Sequence, residues 1–190
     1  MNHAALFSVQ ADAFLFHDLD CLVQRDFFVN LEKNIKDKGA RAIQTFHGRR
    51  VLYMDDNLTN LIINKKVSVN DINILSPGVS LPLLTGAPGG SMYIKKNLFF
   101  DVGGFDPELF SGNAPEDAFF WEKVSVVDQI HTCDSPANEI FHMKHAITYN
   151  NPPDRNVMAF MYNIFREAPV CDKLKWLKAK RDLINKYYYV

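Results

Sequence analysis

Cysteine is scarce in this chain: Cys21, Cys133 and Cys171 are the only three in 190 residues. An odd number, widely spaced and without C-x-x-C, provides neither a disulfide framework nor a zinc knuckle. Reduced thiols in a reducing compartment are the expectation, and a cytoplasmic location goes with them. Net charge is missing too. Lys and Arg number 21 against 22 Asp and Glu, a balance of −1. That argues against a dedicated nucleic-acid binder, which carries a basic excess. No apolar run approaches the roughly 18 residues that mark a membrane span. The start, Met1 to Ala5, lacks the basic residues and apolar stretch of a signal peptide. G-x-G-x-x-G, G-K-[ST] and G-x-S-x-G are absent as well. A dinucleotide fingerprint, a P-loop and a hydrolase elbow are therefore unsupported.

What is present is the balance of a folded globular chain, with 47% hydrophobic and 23% charged residues. Fifteen phenylalanines promise a well-filled core. Ala13 to Phe16 is a short continuous apolar run, the pattern of a strand buried on both faces. Asp26 is placed to cap a helix whose Phe27, Phe28, Leu31 and Ile35 recur at helical spacing, with Gly39 at its end. Ala42 to Phe46 reads as a second strand. Strand, helix, strand is the unit of an α/β fold. Val51–Met54 and Leu61–Ile63 are open between strand and helix, and Val67 to Leu84, with Pro77, Gly78 and Pro82, reads as irregular. Ser91–Ile94 reads as a strand, Lys95–Val102 as a short helix, Gly103–Asp106 as a turn and Glu116–Val126 as a helix. Ile140 to Ile147 reads as a strand, and two helices follow, Asp154 to Glu167 and Asp172 to Tyr188.

Three groups of residues have chemistry to offer. Asp18-x-Asp20 ends the first strand, where ligands of open α/β sheets gather. Side chains at i and i+2 of an extended chain point the same way. Two such carboxylates suit a hard divalent cation, Mg²⁺ or Mn²⁺. They also fit a solvated loop, since 16 Asp in 190 residues give roughly one D-x-D by chance. His142-x-x-His145 is the second group. On a strand, i and i+3 face opposite ways, so one imidazole of the two is expected at the aspartates. Glu116-Asp117 opens a helix, where the dipole favours acids. A carboxylate there is also placed to act as a general base. Gly86, Gly89 and Gly90 permit close approach of backbone to a ligand. The basic stretch Lys173 to Arg181 reads as an amphipathic helix that closes the core with its lysines in water. Peripheral contact with an anionic membrane is the alternative.

Taken in order, these pieces resemble the catalytic half of GT-A-fold glycosyltransferases. The sequence is most similar to the C-terminal part of the galactosyltransferase-type families: D-x-D, then G-G, then G-F (Phe99 to Asp106, F-F-D-V-G-G-F-D), then E-D (Gly112 to Phe120, G-N-A-P-E-D-A-F-F), then a late His. The resemblance spans about Ala5 to Ile147. It implies an α/β fold with a mixed, mostly parallel sheet flanked by helices. Residues 1–150 would form the catalytic region and 151–190 a helical extension. It further implies Mn²⁺ or Mg²⁺ held by Asp20, Asp18 and His145, with His142 as the fallback. Asp18 would also lie near the donor ribose, Gly89 and Gly90 would line the sugar site, Glu116 would contact sugar, and Asp117 would be the catalytic base of an inverting transfer.

The implied substrates are a nucleotide-sugar such as a UDP-sugar and a carbohydrate or glycoconjugate acceptor. One departure stands out: 17 residues precede Asp18, where the family uses roughly a hundred for the nucleotide base. Much of the nucleotide-binding half is thus expected to be absent from the chain: either the chain is a fragment of a longer enzyme, or a partner supplies that half, or donor binding has been lost. A truncated sheet would expose an edge that favours self-association. A non-catalytic carbohydrate-binding or assembly module is the alternative reading. A divalent-metal phosphoryl or nucleotidyl transferase is a third, which would share D-x-D without requiring the G-F…E-D segment.

Overall fold

The computed structural model describes residues 10–48, 50–81, 89–106, 109–110, 115–133, 135–146 and 155–188. In chain order the elements are β1 (Ala13–His17), β2 (Cys21–Val23), α1 (Phe27–Lys38), β3 (Ala42–His47), β4 (Val51–Met54) and α2 (Asp56–Ile63). After β5 (Val79–Ser80) come β6 (Ser91–Lys95), α3 (Lys96–Asp101), α4 (Glu116–Val127), β7 (Ile130–Cys133) and β8 (Ile140–His142). Helices α5 (Arg155–Glu167) and α6 (Val170–Tyr188) follow. Among the described residues these strands form two four-stranded sheets, ordered β1-β6-β3-β7 and β2-β8-β4-β5. In the second, β8 pairs antiparallel with β2 and parallel with β4, while β5 pairs antiparallel with β4. The fold is α/β with mixed sheets and flanking helices. In the second sheet the pairing is mixed rather than mostly parallel, because β2 and β5 each lie against their neighbour in the opposite sense.

Local chemistry accounts for most of these elements. Asp26 does occupy the position before α1, but its side chain makes no capping hydrogen bond. Its φ of −86° and ψ of 1° lie outside the extended conformation from which a cap reaches the first-turn N–H groups. At the other end Gly39 adopts φ 58°, a left-handed conformation that costs a side-chain-bearing residue strain. Asp55 is the effective cap that the sequence reading did not name: its Oδ1 accepts from the Leu58 N–H at 2.7 Å, and Leu61–Ile63 fall into helix α2. Buried on both faces is β3, whereas β1, where that was expected, is half-buried with Leu15 exposed. Strands β2 and β7 had no reading in advance, and β5 falls within Val67–Leu84, which reads as irregular in the sequence; all three are too short to show a period.

The chain divides into two compact units. One takes the described residues of 15–93 and 131–147, the other those of 1–14, 94–130 and 148–190. In the first, Phe27, Leu31, Ile43, Phe46, Val51 and Ile140 pack into one cluster, and Leu52, Met54, Leu58, Ile72 and Phe141 into another. Alternation does the sorting, since neighbours along β4 and β8 point to opposite faces.

The second unit is built on aromatic rings. Phe105 stacks on Phe120 at 4.5 Å, and Phe119 meets Phe110, Phe165 and Trp176. Lys123 of α4 is fully buried among them. Its ammonium donates to the Gly104 carbonyl and to Asp106 Oδ2, and lies 5.6 Å from the Trp176 ring centre. Burial pushes the Lys123 ammonium below its ordinary range, and Asp106 opposes that. Lys180 of α6 meets the other oxygen of Asp106 at 3.1 Å. Lys173 donates to Glu122 at 2.7 Å and to the Arg166 carbonyl at 2.7 Å. Helix α6 thus closes the core as expected, but two of its lysines turn inward because Asp106 and Glu122 receive them. Among the described residues no helix is long and apolar enough to cross a membrane.

Removing one partner of a buried ion pair leaves a desolvated charge and costs about 3–5 kcal/mol. Asp106→Ala, which strands Lys123 and Lys180 together, is expected to lower unfolding free energy by that amount in urea titration. A change within 1 kcal/mol would show that the pair does not hold this unit.

Candidate metal centre

The centre begins where the chain leaves one sheet for the other. Strand β1 stops at His17, Asp18 to Asp20 form a turn, and Cys21 opens β2. The Cys21 N–H closes the turn on the Asp18 carbonyl at 3.1 Å, and the Asp18 N–H donates to the Gly90 carbonyl at 2.9 Å. Gly90 sits at φ 97°, and a Cβ on it would come 3.0 Å from Ile140 Cδ1. A side chain there would push on Ile140 of β8. Gly89 precedes it; Gly86 lies outside the described residues.

The second half of the centre comes from β8. Cys21 stands opposite His142 in the antiparallel register, and the Met143 N–H donates to the Asp20 carbonyl at 2.8 Å. Beyond His142 the strand has ended, and the Lys144 N–H bonds Thr59 Oγ1 at 3.0 Å. This break overturns the strand-based expectation for the two histidines. Only His142 belongs to the strand, and His145 lies beside it. His145 Nε2 lies 2.9 Å, and His142 Nε2 3.3 Å, from the same Asp20 Oδ2. The two rings are 5.1 Å apart.

Asp20, His142 and His145 therefore offer three ligand atoms within 4.8 Å of one another; Asp18, Asp20 and Cys21 form a second such group. The residues fit a divalent cation. Bonds of about 2.1 Å to nitrogen and oxygen place neighbouring ligand atoms about 3–3.4 Å apart around the ion, close to the separations observed. His145 Nδ1 faces the Ala146 carbonyl at 3.1 Å. That is the outer hydrogen bond by which a ligating imidazole is oriented. Imidazole with carboxylate favours a transition-metal ion over Mg²⁺.

Electrostatics point the same way. The Asp18 carboxyl is raised above its ordinary range by desolvation first and by the Asp20 charge second; His17, His142 and the Gly90 N–H pull it down. A cation beside two carboxylates relieves that repulsion. The Cys21 thiol is pushed up to about 12 by burial and by the neighbouring aspartates. It is a protonated, inert thiol at neutral pH. Between 9.0 and about 12 the folded chain keeps a proton the unfolded chain has lost, so Cys21 makes stability fall as pH rises through that window.

Glu116 and Asp117 lie half-buried on the first turn of α4, in the other unit. The loop before them, residues 111–114, lies outside the described residues. Tyr53 was not anticipated. It pairs in register with His142, and its ring lies 5.0 Å from the imidazole. A lone tyrosine in a four-residue strand carries no such signal in sequence. Compared with known proteins, the chain matches no family model and no curated protein.

Two measurements probe the centre. In Mn²⁺ calorimetry, Asp20→Ala is expected to abolish binding, and His145→Ala to weaken it more than His142→Ala. The reverse order would exchange the roles of the two imidazoles. In thiol labelling at pH 8, exposed Cys171 should react well before buried Cys21 and Cys133; equal rates for Cys21 and Cys171 would contradict the raised thiol.

Proposed function

We propose that this chain is a metal-dependent glycosyltransferase region of the GT-A type, carrying a sugar from a nucleotide-sugar donor such as a UDP-sugar to a hydroxyl acceptor with inversion. One observation carries the reading: D-x-D and H-x-x-H, 125 residues apart at Asp20 and His145, converge on one carboxylate oxygen. A protein with no use for a cation has little reason to gather two aspartates and two imidazoles at a strand end. The donor set supports Mn²⁺, which accepts both imidazole and carboxylate.

Such an ion, when bound, supplies charge to offset the leaving diphosphate. Asp18 and Asp20 would hold it, with His145 and His142. Gly89 and Gly90 keep the adjoining backbone free of side chains. By the motif alone, Asp117 takes the proton of the acceptor hydroxyl. The acceptor oxygen then bonds the anomeric carbon, and the bond from that carbon to the diphosphate breaks. Glu116 is assigned to sugar contact on the same motif.

Calorimetry with UDP, with and without Mn²⁺, tests the reading. Binding is expected only with Mn²⁺ and is lost in Asp20→Ala. Asp117→Asn should keep UDP binding and cost 10²–10⁴-fold in transfer rate, the range for a general base. Full activity in Asp117→Asn would remove the base assignment. Mn²⁺ binding without any UDP binding would favour a non-catalytic module instead.

A further inference from the structure

The turn that presents Asp18 and Asp20 is held by backbone bonds on all sides but one. The Asp18 N–H goes to Gly90, the Asp18 carbonyl takes the Cys21 N–H, and the Asp20 carbonyl takes the Met143 N–H. That last bond determines what remains. With Asp20 bonded to Met143, the facing residues Cys21 and His142 form a non-hydrogen-bonded pair of the antiparallel ladder, whose own N–H and C=O groups face away from the partner strand. Strand β2 is at the edge of its sheet, so among the described residues no further strand meets the Cys21 carbonyl. His17 does. Its Nε2 lies 2.8 Å from the Cys21 oxygen, bridging the turn from the residue before it to the residue after it.

From this geometry we infer that His17 is a positioning residue for the cation site: its imidazole clamps the Asp18–Asp20 turn and so sets where the Asp20 carboxylate meets His142 and His145. The inference rests on the metal reading above and adds a residue to it. The roles of the ring atoms follow. A carbonyl accepts, so Nε2 carries the hydrogen. Nδ1 is buried without a hydrogen-bond partner among the described residues. A bare nitrogen there costs less than a buried unsatisfied N–H, which puts the ring hydrogen on Nε2. The ring is half-buried and meets Phe27 edge-on at 6.2 Å, so its plane is set by packing against α1. Leu19, at the tip of the turn, is 97% exposed and holds nothing in place. The His17 imidazole is thus a side-chain tie from one end of this turn to the other.

Outer hydrogen-bonding groups that orient metal ligands are worth about 10–100-fold in metal affinity. Mn²⁺ titration by calorimetry, with free Mn²⁺ followed by its paramagnetic resonance, is the readout; melting temperature is recorded alongside. His17→Ala and His17→Phe are expected to weaken Mn²⁺ by about 10–100-fold. His17→Gln, whose amide nitrogen reaches the same carbonyl, is expected to stay within a few-fold of the parent. Phe retains the packing on Phe27 but not the donor, so the pair separates clamping from filling. Undiminished Mn²⁺ affinity in a folded His17→Phe variant would overturn the inference, as would equal losses in Phe and Gln. If the parent chain binds no Mn²⁺, the metal reading falls and this inference with it. Parent binding with an unaffected Phe variant sinks only the role of His17.

Discussion

The antiparallel pairing of β2 with β8 is the constraint on which the candidate centre depends. Three residues of each strand bring position 21 against position 142, and both chains leave the pairing at the same end. On one side that departure is the turn carrying Asp18 and Asp20; on the other it is the irregular run from Met143 to Ala146. A register slip of one residue would turn every side chain on β8 to the opposite face. Phe141, now fully buried beside Leu52, would leave its cluster, and His142 would enter it. Hydrophobic burial on one face thus secures the placement of a ligand on the other.

The second unit shows a different physical solution. Its core is aromatic, yet it admits an ammonium, that of Lys123. The cost of desolvating that charge is met by Asp106, by the Gly104 carbonyl and by three ring faces, those of Phe119, Phe120 and Trp176. Asp106 belongs to the G-G-F-D turn and Lys123 to α4. The turn that formed part of the resemblance therefore serves a structural purpose, joined by Asp106 to the helix that opens with Glu116 and Asp117. Lys180 draws α6 into the same arrangement.

Much of this was legible in the linear chain. The apolar runs Ala13–Phe16 and Ala42–Phe46 and the helical spacing of Phe27, Phe28, Leu31 and Ile35 mark elements that the fold keeps. The D-x-D at a strand end was also visible, because its chemistry is local. The exceptions have physical causes. Asp26 is a capping residue by type but not by conformation, since capping depends on φ and ψ as well as identity. His142 and His145 were read as opposed because a strand was extended past its true end. Beyond that end the Lys144 N–H goes to the Thr59 hydroxyl, a partner 85 residues away. The lysines of α6 were assigned to water because their acceptors, Asp106 and Glu122, are remote in sequence.

By itself the sequence determined an α/β chain with a large apolar core, little net charge and a set of carboxylates and imidazoles suited to a divalent cation. Composition and period decide such properties, and both are local. Only the tertiary structure decided that Asp20, His142 and His145 share one point, that His17 bridges the turn beside them, and that Lys123 is buried. Those outcomes depend on strand order, register and the exact place where a strand stops. Each of these is set by contacts between residues far apart in the chain, which no window of sequence contains.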